Sequence, residues 1–408
     1  MAEKISKITA VLGKNAKVFI ATQLFFSLPA VWFNTYWALY LIDLGATKEY
    51  IGYLASGLIT VQVLVSFLSV FLSERLGHKR TYITVSFICW PAAMLVYALS
   101  GNVFLSSAAI IVSNMFMLAD PSFVILYIKD VKKNKMHSAF AILNILFTGA
   151  SFFSPVAGIF IKKFGIHDGG RLVFILGAFM MSLSVGFRAF FLKEPAGLRP
   201  VKSSLLVSLK KYRHTFLEFL KNSYLVKVLL LDTLMMFNVT VINTYSSIYL
   251  TDKSTVALDS SVISYFPSIN AAFNIVLSLF LVPIIKAEEV RKYLKLAMLS
   301  GILAWGLLLF APKGNFWFVA ASYALHGLWF ALYFPLIMLL LLRYLKNKNK
   351  AVFFSIFNVF ALSASIPAGV IAGKLYIRNP KLPFIMVTFI FIFTLLILGK
   401  VVPVSKQK

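Results

Sequence analysis

Twelve membrane-spanning helices in two related sets of six, an all-α membrane protein, is the fold class this chain predicts. Three observations carry that reading. The 408 residues are 60% hydrophobic and 13% charged, with a mean hydropathy of +0.86, whereas soluble domains carry about 25% charged residues. A bilayer core of about 30 Å requires roughly 20 apolar residues per helix. Runs of that kind recur near residues 17–42, 50–72, 81–100, 103–128, 138–161, 171–192, 224–250, 260–285, 293–311, 315–342, 351–373 and 382–402. Finally, a ten-residue motif recurs with six positions identical: Asn34-Thr35-Tyr36-Trp37-Ala38-Leu39-Tyr40-Leu41-Ile42-Asp43 returns 209 residues later as Asn243-Thr244-Tyr245-Ser246-Ser247-Ile248-Tyr249-Leu250-Thr251-Asp252.

The first run, from Lys17 to Leu41, is too long for a signal-peptide core and lacks a small-residue cleavage site, so it reads as a retained span. It ends in the repeated motif, whose Tyr36, Tyr40 and Asp43 share one helix face, as do Tyr245, Tyr249 and Asp252 at the end of the seventh run. The repeat extends along both halves. An offset of 212 pairs Tyr53 with Tyr265, Ser56 with Ser268, Gln62 with Asn274 and Pro155 with Pro367; an offset of 214 pairs Pro121 with Pro335 and Asn144 with Asn358. Six spans per copy make matched helices run in the same direction, a parallel repeat associated with secondary transporters. The expected domains are residues 1–193, a linker at 194–222 carrying a basic amphipathic helix on the membrane surface, and residues 223–408.

The net charge of +26 does not indicate nucleic acid, because the basic residues are scattered between spans rather than gathered on one soluble face. Thirty of the forty Lys and Arg residues fall in the N-terminus, the even-numbered connections and the C-terminus; nine fall in the odd-numbered connections, and Arg188 lies inside the sixth run. The positive-inside rule then places both termini in the cytoplasm of a multi-pass protein in the cytoplasmic (inner) membrane. The lone cysteine, Cys89, permits no intrachain disulfide.

The connection after the second span reads Ser73-Glu74-Arg75-Leu76-Gly77-His78-Lys79-Arg80. It resembles the signature of the major facilitator superfamily at this location: acid, Arg, any residue, Gly, basic, basic. The chain departs from it with Glu74 for the usual Asp, His78 for a usual Arg and Val70 where a leading Gly is expected. The resemblance implies that Glu74, Arg75, Gly77, Lys79 and Arg80 form a gating loop. Ser154-Pro155-Val156-Ala157-Gly158 looks like the Gly-Pro-x-x-Gly element of family antiporters, but its match Ile366-Pro367-Ala368-Gly369 makes a packing role the preferred reading.

Besides Arg188, two acids and one histidine lie inside spans. Asp120, counted from Lys129, sits roughly 13 Å into the membrane, where an acid costs about 2.5–3.5 kcal/mol on insertion scales. It faces either a cavity, where it serves proton coupling, or a partner such as Arg188. Its counterpart is Phe334, so the acid belongs to one half alone. Asp232 lies only about five residues past Lys227, roughly 7 Å deep, and interfacial solvation is expected for it. His326 reads as a packing histidine or a titrating one.

The other span-internal polar groups are mainly amides, and buried amides must pair with other helices or with a substrate. By the family resemblance, the first, second, seventh and eighth spans line the central cavity. The substrate-binding candidates are Gln23, Asn34, Tyr36, Trp37, Gln62, Asn238, Asn243, Tyr245, Asn270, Asn274, His326 and Trp329, with Asn114, Asn144, Asn358 and Tyr333 of the same character. No phosphate loop, metal-spaced cluster or nucleophile motif is present, so neither enzyme chemistry nor a cofactor or metal is expected.

The expectation is therefore a monomeric secondary active transporter that moves a small organic solute by alternating access. Proton coupling runs through Asp120, and a neutral, sugar-like solute is preferred. Efflux of amphipathic compounds is the alternative, and a lipid flippase or a non-transporting sensor on the same scaffold is a further one. The bilayer, the solute and a coupling proton are the expected partners, with no nucleic acid among them.

Overall fold

The computed structural model describes residues 12–131, 136–194, 217, 220–286, 288–344 and 350–401, and the amphipathic segment expected at 194–222 lies for the most part outside the described residues. Among the described residues every regular element is a helix. The spans are α1 (Lys14–Asp43), α2 (Lys48–Leu76), α3 (His78–Leu99), α4 (Val103–Leu118 with Asp120–Ile128), α5 (Met136–Gly149 with Pro155–Phe164) and α6 (Gly170–Phe191). They continue as α7 (Ser223–Thr251), α8 (Val262–Ile284), α9 (Val290–Leu309), α10 (Phe316–Tyr344), α11 (Lys350–Arg378) and α12 (Leu382–Val401).

Ten apolar runs are long enough to cross a membrane, and the two parts of α4 make an eleventh that bends by 45°. One of the ten, Ala139–Phe191, has 53 residues; as a straight helix it would be about 80 Å long, more than twice a bilayer core. The chain turns at Gly165–Gly169, and α5 packs back on α6. That run is therefore two spans, and twelve are present among the described residues. Large side chains such as Phe104 and Phe190 stand exposed, as lipid-facing residues do.

Two compact units emerge from the packing. The first is Met1–Tyr36 with Val61–Leu209, and the second is Trp37–Thr60 with Lys210–Lys408, so α1 and α2 each contribute residues to both. In the first unit, Phe19 of α1 meets Tyr82 of α3 edge-on at 5.3 Å, and Phe123 and Tyr127 of α4 at 5.1 and 5.8 Å. Edge-to-face contacts of this kind add to the area these rings bury.

In the second unit, α10 packs on α8 and α9, while α7 packs on α11 and α12. Residues 48–60 of α2 cross α11 at backbone distance: a Cβ placed on Gly369 would collide with the Gly52 carbonyl and the Ser56 backbone, and one on Gly52 with the Gly369 carbonyl. Small residues permit such an approach. The Val370 N–H donates to Ser56 Oγ at 3.0 Å, and the Tyr245 hydroxyl donates to the Lys48 carbonyl at 2.9 Å. The Ile366-Pro367-Ala368-Gly369 stretch thus acts in helix packing here.

The matched prolines behave differently in the two copies. Pro121 follows the break in α4 and Pro155 follows a 3-10 turn in α5, whereas Pro335 and Pro367 sit inside continuous helices. A proline removes one backbone hydrogen bond and crowds the preceding turn. In the first unit the freed groups of α4 lie beside a cavity; in the second, α10 packs on α8 and α9 and takes Pro335 within a continuous helix.

Candidate functional site

Backbone irregularities locate the site. In α3 the helix widens to a π turn over Ile88–Ala92, which contains Pro91. In α4 a 3-10 turn at Asn114–Leu118 ends the first part, and the second begins at Asp120 with Pro121 in its first turn. Such irregularities concentrate at functional positions, and within a membrane they survive where they border a cavity. A cavity of about 580 Å³ adjoins both, with Trp90, Asn114, Ala119 and Asp120 in its wall, within the usual range for small-molecule sites.

That cavity lies entirely in the first unit and brings together six of the residues singled out in the sequence: Gln23, Asn34, Gln62, Asn114, Asp120 and Asn144. Gln62 donates to Asn114 Oδ1 at 2.6 Å, and Asn114 in turn donates to the Ile110 carbonyl at 2.9 Å. Gln23 donates to Ser27 at 2.7 Å. Asn34 and Asn144 also line the wall, are exposed there, and make no hydrogen bond to any described residue. These amides present donors and acceptors that are free to meet a polar solute.

Asp120 is exposed on the same wall, with no hydrogen-bond donor or cation bonded to its carboxylate among the described residues. It stands at the start of a helix, where the macrodipole favours negative charge. Arg188 of α6 lies on the wall too but does not pair with Asp120, so the static ion pair open to it in the sequence does not form. Instead Arg188 donates through Nε to Thr22 Oγ1 at 2.8 Å, through Nη1 to the Tyr82 hydroxyl at 2.5 Å and through Nη2 to Gln23 Oε1 at 3.1 Å.

The loop between α2 and α3 is held by a group outside the signature. Both carboxylate oxygens of Glu194 accept backbone N–H groups at the start of α3, from His78 at 2.8 Å and Lys79 at 2.8 Å. Gly77, with φ +86°, supplies the left-handed turn that exposes them. The Arg75 guanidinium lies 5.8 Å from the centre of the Phe71 ring, and Arg80 is exposed without an ion pair among the described residues. The side chain of Glu74 lies outside the described residues.

The remaining candidates lie elsewhere. Tyr36 and Trp37 are buried. In the second unit, Asn238 is buried and donates to the Val387 carbonyl at 3.2 Å, Asn243 is exposed, and Tyr245 is buried and stacked on Tyr376 at 5.2 Å. Asn274 is buried and accepts from Ser278 at 3.1 Å, while Asn270 and His326 Nδ1 hydrogen-bond at 2.9 Å. Tyr333, the buried Trp329 and His326 stack in a column at 5.5 and 5.1 Å. At its end the Tyr333 hydroxyl donates to Asp232 at 3.2 Å. Asp232 is 4% exposed and accepts from the Tyr333 hydroxyl, so interfacial solvation, which counting along one helix suggested, does not hold for it.

Arg188 and Tyr82 join the site without having been singled out for it. The signal for Arg188 was its place deep in the sixth run, away from the connections; its partners Thr22 and Tyr82 are more than a hundred residues away in the chain.

Sequence and structural comparisons accord with this architecture. The sequence model of the Major Facilitator Superfamily matches residues 18–287. A mutant of the nucleoside transporter NupG superposes with a TM-score of 0.75 at 16% identity, covering 95% of this chain and 98% of its own. A POT family transporter in complex with 5-aminolevulinic acid gives a TM-score of 0.75 at 14% identity, with 98% of this chain and 100% of that one covered. Another, bound to a thioalcohol-conjugated peptide, gives 0.73 at 15%, with 96% and 98% covered. No curated protein matches the chain.

Proposed function

The chain belongs to the Major Facilitator Superfamily and is a multi-pass membrane transporter, and from that premise we propose that it carries a small polar organic solute by alternating access, coupled to protons through Asp120. The observation that carries the reading is the Asp120 carboxylate, unbonded among the described residues, on the wall of an amide-lined cavity of about 580 Å³. Amides and aromatic faces together accept a solute with several hydrogen-bonding groups, and structural neighbours carry nucleosides and peptides, solutes of that kind. A carboxylate held away from cations at this depth is suited to taking up and releasing a proton within a cycle.

The residue set for this reading is Gln23, Asn34, Gln62, Asn114 and Asn144 for the solute and Asp120 for the proton, with residues 75–80 and Glu194 as a gate between states. The inner membrane with both termini cytoplasmic is the orientation we assign from the distribution of basic residues.

The test uses proteoliposomes loaded with a solute identified by binding. Asp120→Asn abolishes accumulation driven by a pH gradient while counterflow exchange continues. Accumulation retained in full by Asp120→Asn overturns the coupling role.

A further inference from the structure

We propose that the transported solute carries an anionic group, a carboxylate or a phosphate, and that Arg188 receives it. This deepens the transport reading above and rests on it. Arg188 is 1% exposed and is part of the cavity wall. Its guanidinium is charged at every accessible pH and has five N–H donors. Three are used, on Thr22, Tyr82 and Gln23, all neutral acceptors, and two remain. Phe19 and Phe26 lie 5.0 and 4.9 Å from the guanidinium carbon and supply ring faces but no countercharge.

Among the described residues no carboxylate comes within 4.0 Å of this cation. A buried charge without a counter-ion is costly, and neutral donors would serve a clamp between α1, α3 and α6 without that cost. A guanidinium beside two aromatic rings, with donors to spare on a cavity of solute size, has the form of an oxyanion receptor: carboxylate and phosphate oxygens accept paired N–H donors from it.

The charge inventory of the wall extends the argument. Among the described residues, only Arg188 of α6 and Asp120 of α4 carry charge there; Tyr82 of α3 is the other titratable group, and α1, α2 and α5 present amides, aromatic rings and aliphatic side chains. With neither ligand bound, one cation faces one anion and the wall is neutral. A bound monoanion and a proton on Asp120 make it neutral again, whereas either ligand alone leaves a net charge. Inside a membrane, unbalanced charge is the costly condition. Empty and doubly loaded carriers are thus the ones suited to change state, which is the requirement for anion–proton symport. On this argument a neutral sugar is the poorer solute.

The experiment is a thermal-shift titration of the purified full chain against matched pairs: gluconate and glucose 6-phosphate beside glucose, a nucleoside 5′-monophosphate beside its nucleoside, benzoate beside benzyl alcohol. The expected result is that an anion stabilises the protein at least tenfold more tightly than its neutral partner, with the carboxylate and phosphate arms identifying the group. Arg188→Gln then lowers affinity for that anion at least tenfold. Should Arg188→Gln not fold, Arg188→Lys decides: it keeps the charge but not the planar fork, and weakens the anion while leaving weakly bound neutral members unchanged. A merely structural arginine would weaken all ligands alike. Neutral partners binding as tightly as anions, anion binding unaffected at Arg188, or no anion binding at all overturns the proposal. Neutral binding that is lost in Gln62→Ala/Asn114→Ala would overturn it while leaving transport through this cavity standing; anion binding indifferent to Arg188 and to both amides would overturn the cavity reading as well.

Discussion

The Lys48 ammonium and the Asp252 carboxylate meet at 2.6 Å within the second unit, although 204 residues separate them. Asp252 also accepts from the Tyr376 hydroxyl at 2.9 Å and from Ser254 through its backbone at 3.0 Å and its hydroxyl at 2.8 Å. Burial works against the charged form, but the hydrogen bonds from Lys48, Ser254 and Tyr376 outweigh it and hold the pKa at about 2, below the ordinary 3.8. A carboxylate lowered on folding stabilises the fold above its unfolded value, and that contribution is lost as pH falls toward the folded one. Asp252→Asn should therefore lower the Tm at pH 7, and its gap to wild type should close as pH falls from about 4 to about 2. Lys48→Ala should cost about 1 kcal/mol, since Lys48 is partly exposed.

At the crossing of α2 and α11 there is no room for a side chain on Gly369. Gly369→Leu should destabilise by about 3 kcal/mol or more, since the obstacle is backbone rather than a side chain that could swing aside. The check is folded yield and Tm after membrane extraction. Gly306, with nothing near its Cβ position, is the control that should tolerate alanine.

Glu194→Gln tests the fastening of α3. Two charge-assisted hydrogen bonds at a helix start contribute about 1 kcal/mol, and the charge part weakens with ionic strength. Measured Tm should drop in low salt, and the gap to wild type should narrow in 1 M NaCl, taken here as about a 3 Å screening length.

Tyr333→Phe removes the hydroxyl hydrogen-bonded to the buried Asp232. Leaving that carboxylate unpaired should cost about 1–3 kcal/mol. Asp232→Asn in the same background should recover part of the lost Tm, because an amide is cheaper to bury unpaired than a charge. No recovery would mean that an unpaired carboxylate is not the source of the loss.

The spans and their internal repeat could be read from the chain because both rest on local periodicity and composition. Side-chain partners could not. Asp43 and Asp252 end matched motifs, yet Asp43 is exposed and forms no ion pair among the described residues, while Asp252 gains Lys48 and Tyr376 from distant segments. Asp120 was visible because an acid deep in a span is costly wherever it faces. The environment of Asp232 was not, since depth along one helix says nothing about the tyrosine hydroxyl that a distant helix brings to it. Arg188 stood out as isolated, but its lack of a countercharge depends on three helices meeting around it.

The broken α4 and its unbroken counterpart in α10 should also differ as clocks. In deuterated buffer, the amides of residues 114–120 lie beside a cavity with an interrupted ladder, whereas the matched amides 328–334 belong to a continuous helix. Exchange should run through the first stretch on a scale of minutes and leave the second protonated for about hours. Two segments descended from one pattern would then report local opening at different rates, and a solute seated in the first unit should slow only the faster one.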